Sequence, residues 1–107
     1  MSEDIERVIE SFRDALIKVE KDLTESEKDV RDAGEHFESL ILALNRTDLA
    51  LTAAVSLESD ALASHTLMQA PDADKLLTKM VEAAKAAKDL HDDTAKKIKD
   101  VARRVID

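Results

Sequence analysis

Cysteine, tryptophan and tyrosine are missing from this chain altogether, and it holds one glycine, one proline and two phenylalanines. Without cysteine there is no disulfide, no thiolate metal site and no cysteine nucleophile, a usage that suits a reducing compartment and points to the cytoplasm. With Phe12 and Phe37 as the only aromatics, nothing can stack successive nucleobases or box in a cofactor. One glycine, Gly34, leaves no Gly-rich loop for phosphate and no dinucleotide-binding turn. So few turn formers also argue against a sheet-based fold. The start, Met1-Ser2-Glu3-Asp4, is acidic and lacks the charged-then-apolar export pattern. The apolar stretch Leu49–Leu57 is far shorter than the ~20 residues of a membrane span. Together these absences predict a soluble protein with no membrane association.

Charge narrows the class further. The formal net charge is −8, and residues 1–70 carry 16 acidic against 7 basic side chains, while residues 71–107 carry 8 against 9. Phosphate neutralisation needs a basic surface, so this balance reads against a nucleic-acid binder. Lys96, Lys97, Lys99, Arg103 and Arg104 do cluster near the end, but Asp89, Asp92, Asp93, Asp100 and Asp107 interleave with them. An acidic surface that docks on a basic protein, or mimics a nucleic acid, fits the balance better.

What the chain has in abundance is hydrophobic periodicity. Ile5, Ile9, Phe12, Leu16, Val19, Leu23, Ser26, Val30, Ala33, Phe37, Leu40, Leu44, Thr47 and Leu51 follow one another in alternating four- and three-residue steps. An average step of about 3.5 is the seam of packed α-helices. The fold class is therefore all-α: a single domain over residues 1–107, built as an antiparallel bundle or coiled coil of three long helices at about 2–45, 48–69 and 71–105. Ser2 caps the first, with Glu3, Asp4 and Glu6 in its first turn. Asn45-Arg46-Thr47-Asp48 supplies the first bend, and Ala70-Pro71-Asp72 the firmest boundary, since proline disfavours helix in the residue before it. The middle helix carries a wide apolar arc, with Leu57, Ala50, Met68, Ala61 and Ala54 on one flank and Leu51, Leu62 and Val55 on the other, and is expected at the buried centre.

Rods of such unequal length leave overhangs at opposite ends, Ile5 to Val19 on one and Ile98 to Val105 on the other. Each large apolar side chain left in water there forfeits ~1.5–3 kcal/mol. Two arrangements resolve this. In the favoured one, a homodimer covers the overhangs, making Ile5, Ile9, Phe12, Leu16, Val19, Ile98, Val101 and Val105 the protein-interaction residues. In the other, Thr24-Glu25-Ser26-Glu27 acts as a capping box that breaks the first helix near Thr24, giving a monomeric up-and-down four-helix bundle.

Chemistry is thinly represented. Glu58 and His65 are placed inside the middle helix's arc, seven residues apart, and His91 lies in the last helix's seam; all three are buried polar candidates, read first as hydrogen-bonded seam residues that fix register. His36 lies four residues after Asp32, within reach on a continuous helix. No Glu-x-x-His, His-Glu-x-x-His or calcium-loop pattern occurs, and no Gly-x-Ser-x-Gly elbow. Gly34 is read as a close helix–helix contact. Neither catalysis nor a cofactor nor a metal is expected.

The function that follows is a non-catalytic protein-interaction module (an adaptor, secretion chaperone or assembly factor) that self-associates through its seams. The alternative is an acidic inhibitor, such as an immunity protein, antitoxin or nucleic-acid mimic, blocking a basic surface. In size, helicity and lack of cysteine the chain is similar to small helical-hairpin secretion partners. Their Trp-x-Gly turn and carboxy-terminal tyrosine signal are both missing, so nothing about site residues follows from the likeness.

Overall fold

The computed structural model describes the backbone of residues 2–106 and the side-chain surroundings of residues 4–104. It is all-α, with four helices: α1 Ser2–Ala33, α2 Phe37–Ala63, the single turn α3 His65–Met68, and α4 Ala73–Ile106. The three long helices form an elongated bundle measuring 63 × 17 × 16 Å. Its radius of gyration, 17.0 Å, exceeds the ~13 Å of a compact domain of this size. α1 and α4 run parallel, and α2 runs antiparallel to both and packs along each.

The first reversal falls at Gly34–His36, not at 45–47. Gly34 has φ +55°, a left-handed conformation that glycine adopts without penalty and that ends helices. Its N–H donates to the Arg31 carbonyl (3.2 Å), and the His36 N–H donates to Ala33 (2.9 Å). A Cβ added there would meet nothing within 4 Å, so the glycine serves the turn and not a close helix contact. Through 45–47 the helix continues, its threonine bonded back within the helix and Arg46 held by α1. Thr47 is fully buried, its hydroxyl donating to the Leu44 carbonyl at 2.7 Å. Arg46 pairs with Asp29 on α1.

Thr24 does not break α1 either. Its hydroxyl donates to the Glu20 carbonyl at 3.0 Å, a bond within a continuous helix, so the capping box is not formed. With 32, 27 and 34 residues, the long helices are better matched than predicted, and the overhangs shrink to the first turns of α1. The second reversal begins before Pro71, because α2 ends six residues earlier than expected. α2 ends at Ser64, whose N–H donates to Ala61 and whose Oγ accepts from the Leu67 N–H at 3.2 Å to cap α3. Pro71 then occupies the turn before α4, closed by Ala73 N–H to the Ala70 carbonyl at 3.2 Å.

The main core joins Leu16, Val19 and Leu23 of α1, Ala54, Leu57 and Ala61 of α2, Leu67 of α3, and Leu76, Met80 and Ala87 of α4. A smaller cluster of Ala33, Leu40 and Val101, with Ile98 against it, closes the Gly34 end.

Candidate interaction surface

α2 carries two seams, and the bundle buries the one with smaller side chains. Leu40, Ala43, Thr47, Ala50, Ala54, Leu57 and Ala61 return in three–four steps and are all buried. A second set, Phe37, Ile41, Leu44, Asp48, Leu51, Val55, Glu58 and Leu62, returns in four–three steps along the adjoining flank. Of these Phe37 is 43%, Ile41 37%, Val55 50% and Leu62 58% exposed, while Leu44, Leu51 and Glu58 are half-buried. Four alanines in the buried seam let the helices approach closely, so the bulky flank is turned outward.

Three contacts fix which way that flank points. α1 lies against the Arg46 side of α2, through the Asp29 ion pair and the Ser26 hydroxyl directed at the Arg46 carbonyl (3.5 Å). α4 lies against the Thr47 side, where His91 Nδ1 is 3.0 Å from Thr47 Oγ1. On a 100°-per-residue wheel the bulky flank lies beyond α4, on the face of the α2–α4 pair opposite α1. α4 adds Val81, 49% exposed, and half-buried Leu77 to the same face. Lys85, Lys88 and Lys99 rim the α4 side, Lys88 pairing with Asp92 at 3.1 Å, and Asp48 and Glu58 mark the α2 side. The result is an apolar strip along two antiparallel helices, bordered by Asp48 and Glu58 on α2 and by Lys85, Lys88 and Lys99 with Asp74 and Asp92 on α4.

The predicted interaction residues lie elsewhere. Leu16, Val19 and Val101 are 3%, 6% and 6% exposed, consumed by the chain's own core. Ile5, Ile9 and Phe12 are half-buried and packed against that core, on a segment of α1 that α3 partly covers. Ile98 packs on the Leu40 cluster. The side chain of Val105 lies outside the described residues.

The polar candidates do not converge. His65 is exposed at the start of α3, cut off from Glu58 by the Ser64 break, so the two do not share a helix. The turn at Gly34 likewise separates His36 from Asp32, and His36 Nδ1 instead sits 3.2 Å from Ser39 Oγ. His91 is a seam residue with a defined role. Thr47 gives its only hydroxyl proton to Leu44, so His91 Nδ1–H donates to Thr47 Oγ1 and Nε2 is left on the outer side. That bond joins α2 to α4 and sets their register.

By length and composition α2 alone among the described helices reaches membrane-span dimensions, with a mean hydropathy of 1.4 over its most apolar window, a third of it buried. Leu49–Leu57 thus belongs to a longer apolar helix than the sequence reading allowed. Its two seams account for part of that apolarity, and Leu42 and Leu49, 66% and 69% exposed, lie outside both. No family model, curated protein or solved structure matches the chain.

Proposed function

We propose that the protein is a non-catalytic helical interaction module that binds another protein chain through the outer face of α2 and α4. One observation carries this: Val55, Leu62 and Val81 sit about half in water while alanines occupy the interior beside them. Each forgoes roughly 1 kcal/mol of burial that a covering partner would return. The charge pattern of α1 supports the same reading over an acidic inhibitor. Its 11 acidic residues are interleaved with 6 basic ones, so no surface of a single sign builds up along it.

The test is affinity capture from the native host, at low and high salt, with the wild type and Val55→Glu side by side. A partner that survives high salt and is lost with Val55→Glu is the expected result. Capture that disappears at high salt and ignores Val55→Glu would replace this reading with the electrostatic inhibitor.

A further inference from the structure

We propose that the occupant of the α2–α4 face is a second copy of this chain, docked about a two-fold axis parallel to the bundle so that α2 of each protomer lies against α4 of its partner. This rests on the face being a binding surface and adds what binds there and in which orientation. Charge selects the arrangement. On this face the α2 wall carries Asp48 and Glu58 and no basic side chain, whereas the α4 wall carries Lys85, Lys88 and Lys99 against Asp74 and Asp92, so the two walls differ in net sign. An axis perpendicular to the helices would set α2 on α2 and α4 on α4, like against like. The parallel axis sets unlike against unlike. Either axis gives every helix of the new four-helix core an antiparallel neighbour, so charge is what selects between them.

Register sharpens this. The Thr47–His91 bond sets residue 48 level with residue 90 on α4. Rotation about an axis parallel to the bundle leaves levels unchanged, so Asp48 meets the partner's α4 at the level of the Lys88–Asp92 ion pair. The size also fits. A strip the length of α2, about 40 Å at ~1.5 Å per residue, and 17 Å across, projects about 700 Å², near the ~800 Å² per partner of a stable interface.

Sedimentation equilibrium of the intact chain tests the proposal. The expected mass is twice the 11.8 kDa protomer, with Val55→Glu weakening association at least ~100-fold because it places a carboxylate in the middle of the apolar strip. Lys88→Glu alone is expected to dissociate the dimer, since it faces the partner's Asp48 with two carboxylates, its own and Asp92, and Asp48→Lys is the change in the other chain that answers it. Mixing the two variants restores a dimer, because the mixed pair matches every contact. Helicity of each variant by circular dichroism separates dissociation from unfolding. A Lys88→Glu chain that dimerises as well as the wild type would overturn the parallel axis. A wild type that stays monomeric up to submillimolar concentration overturns the proposal outright. If that monomer captures a host protein through Val55, the interaction module stands without the homodimer. If it instead sediments with phosphatidylserine vesicles and Val55→Glu does not, the face belongs to a lipid surface and both readings fall.

Discussion

Along α2, one flank buries Leu40, Ala43, Thr47, Ala50, Ala54, Leu57 and Ala61, while the other leaves Phe37, Ile41, Val55 and Leu62 partly in water. The exposed flank carries the larger side chains, so apolar volume did not decide which side went inward. Closeness of approach did. Alanines let α1 and α4 settle near the α2 backbone, where dispersion contacts are dense. Thr47 adds two hydrogen bonds at the centre of that seam. Bulk on the other flank is then surplus to the protomer, and surplus apolar bulk in a stripe is what an interface is made of.

If the buried flank holds the protomer together, trimming its largest member should cost most. Leu40 is 0% exposed and anchors the cluster at the Gly34 end. Leu40→Ala is expected to lower stability by about 2–5 kcal/mol, read as a lower midpoint in a urea titration. Filling the same flank should hurt for the opposite reason. Ala54 is 1% exposed, and Ala54→Leu would push the helices apart at a cost of about 1–3 kcal/mol. If Ala54→Leu were as stable as the wild type, the close alanine seam would not be what turns the large side chains outward.

The turn at Gly34 lets α2 lie back on α1, and its cost can be isolated. Gly34→Ala meets no atom, so its penalty is conformational, about 1–2 kcal/mol for a left-handed residue with a Cβ. Gly34→Asn should cost less, because asparagine visits that region more readily. Equal losses for the two, compared by thermal melting, would mean that φ is not the constraint there.

The helical class and the Pro71 boundary were legible because each rests on a local rule, a 3.5-residue period and a missing N–H. The Gly34 reversal was not legible in the periodicity. Only three residues separate α1 from α2, so Ala33 and Leu40 stay seven apart and both remain in the seam; the stripe crosses the turn without a slip. Gly34 after Arg31 was the signal to read, as a helix stop. The interaction face was half legible. Leu51, Val55 and Leu62 stood out as one flank of a wide arc, but which flank meets α1 and α4 depends on where the turns fall. Moving the first bend from 45–47 to 34–36 covers Leu16 and Val19 and leaves Val55 and Leu62 outside.

The smallest expected effect is the most pointed one. Leu62 is 58% exposed and lies on the outer flank, so in dilute protein, where only the protomer contributes, Leu62→Gln should shift stability by no more than about 0.5 kcal/mol. At high concentration the same change removes apolar area from the paired face and should lower the midpoint further, because a partner that binds only the folded chain adds stability by mass action. The measurement is therefore a pair of urea titrations at concentrations far apart. A large loss in the dilute sample would mean that Leu62 already serves the protomer's own core. No loss in either would mean that nothing packs against it, and the outer flank would then be bulk without a purpose that stability can register.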